Sequence, residues 1–262
     1  MPITSPLENV LVLQGGGSLG AFGCGVFKAL ANNNIKLDIV AGTSVGGINA
    51  AIIAGSTDDK HPEKTLEQFW LEIAENSKAL DYFTSFSLGS TYLPSIMHWL
   101  ASVDNFSLSP LYDKGSLLLR ANNVDNKNLK IKSILSSYGS IVYGNEFFKP
   151  RWRAEYALAD PEFYLPSRWT HLYDHSPIAN TLEKYIDYTK LKPNDGGRSN
   201  MRLIMTAVNV LTAEPLTFDS YKQQITPKHI LATSAYPMYA FPWIEVENGV
   251  YAWDGSLLVI HH

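Results

Sequence analysis

Residues 9–47 read NVLVLQGGGSLGAFGCGVFKALANNNIKLDIVAGTSVGG, and they carry most of the information about the fold. The apolar run Val10–Leu13 predicts a short β-strand, because strand-forming residues are followed almost at once by glycines. Gly20–Asn32 predicts a helix, and Leu37–Ala41 predicts a second strand. Between the first strand and the helix, the glycines at 15–17 leave backbone N–H groups uncovered by side chains. They precede a helix start, where negative charge is favoured.

The second strand runs into a G-x-S-x-G pattern at residues 42–46, with Ser44 at its centre. Val45–Ala54 then predicts a helix that ends at Gly55. A serine on such a strand–turn–helix connection exposes its hydroxyl above the sheet, and the flanking glycines remove the steric conflict. A purely structural turn is the alternative for this motif taken alone. We predict instead that Ser44 is a catalytic nucleophile, whose oxyanion hole is formed by Gly15, Gly16 and Gly17.

The remaining elements alternate near both ends of the chain. Helices are predicted at residues 62–79, 177–186 and 226–235, and strands at residues 201–210, 214–219 and 250–253. Because strands alternate with helices, we expect an α/β fold: a three-layer domain with a central, mostly parallel sheet flanked by helices. No internal repeat or low-complexity linker divides the sequence, so residues 1–262 predict a single domain.

Charge and cysteine content exclude several classes of function. The net charge of −4 is spread along the sequence without a basic run, which argues against a nucleic-acid partner and against a mainly electrostatic attraction to anionic membranes. The single cysteine, Cys24, excludes an internal disulfide and a thiolate metal cluster. We predict that Cys24 packs as a small buried residue.

The N-terminal sequence MPITSPLENV lacks the basic and apolar regions of a secretory signal. No apolar segment approaches the length of a membrane span. We therefore expect a soluble, cytoplasmic protein whose contact with a lipid surface is peripheral.

The same glycines also match a sequence motif of a different class of protein. Gly15-x-Gly17-x-x-Gly20 fits the dinucleotide fingerprint, and Asp38 lies at about the usual distance for its acidic residue. The fingerprint needs that acid at the C-terminal end of the second strand, however, and Asp38 stands at the start. Ser44 occupies the far end, where open α/β sheets place their chemistry. Dinucleotide binding is therefore the weaker hypothesis.

Two bases for Ser44 remain open from the residues alone. A Ser-His-Asp triad can be written with His229, which lies downstream of Asp195 and Asp219. His229 falls inside a predicted helix, where we expect an exposed histidine. The other candidate is Asp254, which follows an apolar strand and emerges where the C-termini of the strands gather. Asp254 is the better candidate, because Asp195 lies in a polar Asp-Gly-Gly loop that predicts an ordinary turn.

Four segments in this order resemble the patatin-like phospholipases. They are GGGSLG at 15–20, GTSVG at 42–46, ATSAYPMYAFP at 232–242 and the Asp254-Gly255 pair, and the resemblance covers residues 9–256. It implies a fold similar to that of cytosolic phospholipase A2 and hydrolysis of lipid acyl esters by a Ser44–Asp254 dyad without histidine. It also implies an oxyanion hole in the Gly15–Gly17 backbone, and neither a cofactor nor a metal in the catalytic step.

Three departures from the family pattern accompany the resemblance. Leu19 stands where many members carry Arg or Lys, and Ser256 stands where Gly or Ala usually follows the Asp-Gly pair. Members continue past this point with another strand and an Asn-x-Pro turn. This sequence ends eight residues after Asp254, which suggests a truncated C-terminus.

Residues 81–177 form an irregular stretch dense in aromatics, proline and glycine. Two interpretations stand side by side: a segment packed on its own aromatic side chains, and a lid or acyl-binding wall beside the serine. The second interpretation predicts substrate contacts for six residues, namely Tyr82, Phe83, Trp99, Phe147, Phe148 and Trp152.

Overall fold

A computed structural model of the chain describes residues 7–75, 140, 142, 144–193 and 201–261. The chain divides into two compact units, one of residues 1–76 and 146–262 and the other of residues 77–145. The helices and strands named below belong to the first unit.

The elements of this unit follow one another in a mixed order of strands and helices. They are β1 (Val10–Leu13), α1 (Gly20–Asn32), β2 (Ile39–Thr43), α2 (Val45–Ala54), α3 (Pro62–Glu75), β3 (Lys149–Pro150), α4 (Tyr156–Ala159), β4 (Tyr173–Asp174), α5 (Pro177–Leu182), β5 (Arg202–Asn209), β6 (Pro215–Asp219), α6 (Pro227–Ser234), β7 (Ile244–Glu247) and β8 (Val250–Asp254). Short 3₁₀ turns cover Gly17–Leu19, Pro166–Arg168, Tyr188–Lys190, Pro237–Tyr239 and Gly255–His261.

A mixed six-stranded sheet forms the centre of the unit, in the order β1-β2-β5-β8-β7 with β6 also paired to β5. β1, β2 and β5 are parallel, whereas β6 and β8 run antiparallel to β5. Helix α2 packs on β2 and β5, α6 packs on β5, β7 and β8, and α1 packs on α2 and α3. The predicted α/β class, with parallel strands flanked by helices, is confirmed.

β5 is the strand on which the two halves of the sheet meet. β6 pairs with residues 204–208 of β5, β2 pairs with residues 202–206, and β8 pairs with residues 207–209. Since β6 overlaps both of the others, β2 and β8 must share the opposite edge of β5. β2 ends there at Thr43 opposite Thr206, and the antiparallel β8 ends at Asp254 opposite Ala207. The two strands therefore end toward each other, at adjacent residues of β5.

Helix α2 is the core of the unit, and all ten of its residues are buried. Apart from Asn49, its sequence VGGINAAIIA has no polar side chain, which is typical of a helix enclosed on all sides. Cys24 of α1 is also buried, as predicted, and burial raises the pKa of its thiol.

Some boundaries differ from the sequence predictions. β2 begins two residues later than predicted, because its pairing with β1 starts at Ile39 opposite Val10. Helix α5 ends at Leu182, and residues 183–185 form turns that lead to the pairing of Ile186 with Ser56. β7 was not predicted: it has only four residues and follows a proline-punctuated loop.

Candidate active site

Ser44 joins β2 to α2 in a sharp turn with a φ of 58° and a ψ of −135°. Such a conformation costs a non-glycine residue about 1–3 kcal/mol and persists only where its surroundings impose it. Glycines on both sides make the turn possible. A Cβ on Gly42 would lie 2.2 Å from the Gly46 carbonyl oxygen, and one on Gly46 would lie 2.2 Å from the Leu13 carbonyl oxygen.

The glycine loop after β1 packs directly against this serine. A Cβ on Gly15 would lie 2.7 Å from the Ser44 Cβ and 3.3 Å from its Oγ. Gly16 and Gly17 have φ values of 146° and 58°, which disfavour side chains. Within the described residues, the N–H groups of Gly15, Gly16 and Gly17 donate no hydrogen bond to the protein. Uncommitted donors beside the serine are what stabilisation of an oxyanion requires.

The far end of the glycine loop is fixed by α2. The Asn49 side chain donates to the Gly20 carbonyl oxygen at 2.8 Å and accepts from Trp70 Nε1 at 3.0 Å. Gly20 itself is so close to α2 that a Cβ there would lie 2.8 Å from the Val45 methyl groups. The helix that follows Ser44 therefore also sets the position of the loop beside it.

Asp254 ends β8 as a fully buried residue, with 0% of its surface exposed. Its Oδ1 accepts from the Ser256 N–H at 2.9 Å, and its own N–H donates to the Ala235 carbonyl oxygen at 3.0 Å. Its Oδ2 is buried and has no hydrogen-bond partner among the residues that the structure describes. Burial raises the pKa of this carboxyl, while the nearby Ser44 hydroxyl and the Ser256 N–H act in the opposite direction. The structure thus brings Ser44 and Asp254 together.

The expectation of an exposed His229 is wrong, since only 6% of its surface is exposed. Its Nδ1 accepts from the Thr226 N–H at 3.0 Å in a capping box at the start of α6, and its ring lies 4.6 Å from that of Phe218. Burial lowers the pKa of His229. This histidine therefore serves as a helix cap inside the core.

Of the two aspartates considered for a histidine triad, Asp219 is occupied elsewhere. Asp219 pairs with Arg202 through two hydrogen bonds of 3.0 and 2.5 Å, which hold the pKa of its carboxyl low. Asp195 lies outside the described residues. His175 is buried and stacks on Phe241 at 4.4 Å, and burial lowers its pKa to about 4.

Asp38 lies at the start of β2, at the opposite end of the strand from Ser44. Its carboxylate accepts from the Asn9 N–H at 2.9 Å and so ties β2 to the beginning of β1. The acid of a dinucleotide fingerprint would be needed at the other end of the strand.

The predicted acyl-contact residues fall into three groups. Tyr82, Phe83 and Trp99 lie outside the described residues. Phe147 packs on the core through Phe69 and Trp70, with ring separations of 5.9 and 6.1 Å.

Phe148 and Trp152 join a different cluster around Tyr173, with ring separations of 5.0 and 5.4 Å. This cluster continues from Phe148 to Phe241 and Tyr239, and from there to Tyr236. Tyr236 directly follows Ala235, the residue that holds the Asp254 N–H. Substrate contacts by any of the six residues stay a prediction.

The structure adds Thr233, which sequence reasoning did not single out. The Ser44 N–H donates to the Thr233 carbonyl oxygen at 2.9 Å and lies 3.2 Å from its Oγ1. The only signal in the sequence was the position of this residue in the stretch 232–242, which resembles the family. Nothing in that stretch alone indicates contact with a serine 189 residues earlier.

The described ranges contain no group of three or more His, Cys, Asp or Glu side chains arranged to hold a metal ion. None of the described helices is long and apolar enough to cross a membrane.

Comparison with known proteins places these features in a family. The family model for patatin-like phospholipases matches residues 11–259. A patatin-like phospholipase domain-containing protein of Coccidioides immitis is 45% identical over 53 residues, which are 20% of this chain and 7% of that protein. One from Caenorhabditis elegans is 33% identical over 110 residues, 40% of this chain and 7% of that protein.

A third relative, lysophospholipase nte1 of Aspergillus terreus, is 48% identical over 48 residues, 18% of this chain and 3% of that protein. The chain thus matches only a small part of the length of these relatives. Among solved structures, VipD from Legionella pneumophila aligns with a TM-score of 0.42 and 18% identity, over 97% of this chain and 47% of that one. Because the family model spans nearly the whole sequence, the chain belongs to the patatin-like phospholipase family.

Proposed function

We propose that this protein hydrolyses carboxylic esters of lipids, with Ser44 as the nucleophile and Asp254 as the base. The observation that carries the proposal is the meeting of β2 and β8 on one edge of β5. It brings the serine hydroxyl near a buried carboxyl whose Oδ2 accepts no hydrogen bond from the described part of the chain.

The reaction begins when the Asp254 carboxylate takes the proton of Ser44 as Oγ attacks the acyl carbonyl carbon. The oxyanion that forms accepts hydrogen bonds from N–H groups of Gly15, Gly16 and Gly17, each commonly worth about 3 kcal/mol. The start of α2, directly after Ser44, adds positive potential from the helix dipole.

Collapse of the tetrahedral intermediate breaks the bond to the leaving alcohol, which receives its proton from Asp254. The acyl group is then held as an ester on Ser44. Water attacks that ester while Asp254 again accepts a proton, and the free acid leaves with Ser44 restored. A carboxyl whose pKa is raised by burial is a stronger base than an ordinary aspartate, which suits both steps.

The lipid nature of the substrate rests on the family and on the printed name of the Aspergillus terreus relative, a lysophospholipase. We further propose that an aromatic acyl wall includes Phe148 and Trp152, whose rings both contact Tyr173. We also propose that the protein contacts a lipid surface and is located in the cytoplasm. Leu19, whose side chain is 76% exposed beside the glycine loop, supplies apolar surface where many members carry a cation.

Labelling with a fluorophosphonate probe tests the proposal, because the probe phosphonylates an activated serine. We expect the probe to modify Ser44 of the folded protein, and Ser44→Ala to abolish both labelling and ester hydrolysis. Ser167→Ala is the matched control, since Ser167 is an exposed serine in a short 3₁₀ turn. Wild-type turnover by a folded Ser44→Ala variant would refute the proposal.

A further inference from the structure

The end of α6, together with Ala235 directly after it, contacts both members of the proposed dyad through its backbone. The Thr233 carbonyl oxygen accepts from the Ser44 N–H at 2.9 Å, and the Ala235 carbonyl oxygen accepts from the Asp254 N–H at 3.0 Å. Two residues of one turn thus hold the backbones on either side of the reacting atoms. The separation of the serine and the carboxyl depends on how firmly this turn is itself held.

Thr233 is the side chain that fixes the turn to the sheet. Its hydroxyl donates to the Thr206 carbonyl oxygen at 2.6 Å. Because that bond occupies the proton, the lone pairs of Oγ1 remain for the Ser44 N–H, 3.2 Å away. The Ser44 N–H is therefore shared between two oxygen atoms of one residue.

Thr206 in turn contacts the residues that adjoin both dyad residues in sequence. Its hydroxyl bonds that of Thr43, the residue before Ser44. A Cβ on Gly255, the residue after Asp254, would lie 2.8 Å from the Thr206 backbone and from its Oγ1. The methyl group of Thr233 meets α2 just as closely, since a Cβ on Gly47 would lie 2.7 Å from it.

We propose that Thr233 is a positioning residue, whose hydroxyl aligns the Ser44 turn with Asp254 by fixing the end of α6 to β5. This inference rests on the proposed Ser44–Asp254 hydrolase. Thr233 acts on the serine only through the backbone N–H, so it contributes to the rate of attack and makes no contact with substrate. It follows also that the Ser44 N–H is committed to α6 and is not an oxyanion donor.

Thr233→Val tests the role of the hydroxyl, because valine keeps the shape and the methyl group but cannot donate to Thr206. A small misplacement of reacting groups can lower a rate by about 100-fold, so we expect kcat for p-nitrophenyl butyrate and the rate of probe labelling to fall about 10- to 100-fold. KM should stay within about twofold, because no substrate contact is removed.

Thr233→Ser is the matched control, since it keeps the hydroxyl and removes only the methyl group. We expect it to recover kcat to within about threefold of wild type. A purely structural role would instead lower the Tm of both variants without separating their kcat values. The inference is overturned if Thr233→Val labels at the wild-type rate, or if a folded Thr233→Ser is as slow as Thr233→Val.

Gly47→Ala gives a second route if Thr233→Val does not fold. The new methyl group would press on the Thr233 side chain and displace its hydroxyl without altering it chemically. We expect the same fall in kcat at nearly constant KM, and unchanged labelling would refute the inference. Wild-type protein that fails to label at all would refute the hydrolase proposal itself, so the two failures are distinguishable.

Discussion

Asp254, the proposed base, shows at the scale of one residue how a group suited to catalysis can oppose stability. Its carboxyl is fully buried and accepts a hydrogen bond from the Ser256 N–H. Among the described residues, the Ser44 and Ser256 side chains also act on its pKa, but no cation does. An ionised carboxylate in such a site is unfavourable, which is why its pKa is raised. The same property that strengthens the base therefore destabilises the folded protein at neutral pH.

Asp254→Asn should abolish hydrolysis and yet make the protein more stable at pH 7. The folded pKa lies above the ordinary value of 3.8, so the folded state loses stability as pH rises from about 4 through that raised pKa. The amide cannot ionise and avoids this loss. Urea unfolding of wild type and variant at pH 4 and pH 7 should show a gain that is present only at pH 7.

Asp219→Asn is the control, for which we expect a change in stability of the opposite sign. Arg202 lowers the pKa of Asp219, so its ion pair stabilises the folded state above the unfolded pKa and is lost as pH falls through the lowered value. This variant should be less stable than wild type at pH 7. An Asp254→Asn variant that is also less stable at pH 7 would contradict the account of a destabilising buried charge.

At the scale of one element, the two ends of helix α6 make different kinds of contact. At its start, Thr226 and His229 satisfy each other's backbone and side-chain groups in a capping box. At its last turn, Thr233 and Ala235 hold the backbones of Ser44 and Asp254. Loosening the first end should lower stability, whereas loosening the second should lower the rate.

His229→Ala should therefore destabilise the protein but leave kcat of the folded enzyme within about twofold of wild type. Loss of a cap of this kind costs about 1 kcal/mol, and the cavity beside Phe218 adds to it. His229→Gln is the matched control, because glutamine also fulfils the N3 role of a capping box. It should recover part of the Tm. If His229→Ala is inactive while folded, histidine is the base and the dyad is wrong.

Local elements could be predicted from the sequence because local residues determine them. Glycines at 15–17 and 42–46 fix the turns around Ser44, and the bounds of α1 and α2 agree with the predictions. Contacts between distant segments left no such local trace. Three features depend on residues that are far apart in sequence. They are the position of β8 next to β2 on β5, the burial of the helix cap His229, and the contact between Thr233 and Ser44.

At the scale of the whole chain, the single strand β5 brings the parts of the candidate site together. Ser44 and Asp254 come from opposite ends of the sequence, and β5 is the template that brings their strands end to end. The glycine loop comes from β1, two strands away from β5. The proposed reaction therefore requires a sheet in which both β2 and β8 are paired with β5.

The cluster that holds Phe148, Trp152, Tyr173, Tyr239 and Phe241 is assembled from distant segments in the same way. Backbone bonds from Leu172 and Tyr173 to the Ala240 carbonyl oxygen fasten these segments together. Through Tyr236 the cluster reaches the last turn of α6, next to Asp254. Because this cluster adjoins the turn that holds the proposed base, it is where we propose that the acyl chain lies.

Replacing Phe148 and Trp152 together with serine should lower kcat/KM for a long-chain ester far more than for a short one. Each methylene that loses its apolar contact is worth about 0.8 kcal/mol, so two of them correspond to about 15-fold. We expect at least this loss on p-nitrophenyl palmitate and less than about threefold on p-nitrophenyl butyrate. Phe163→Ser is the control, because Phe163 contacts Tyr164 and Trp169 in a separate group of rings. Equal losses on both esters would mean that the cluster only supports the fold, as the other interpretation of residues 81–177 holds.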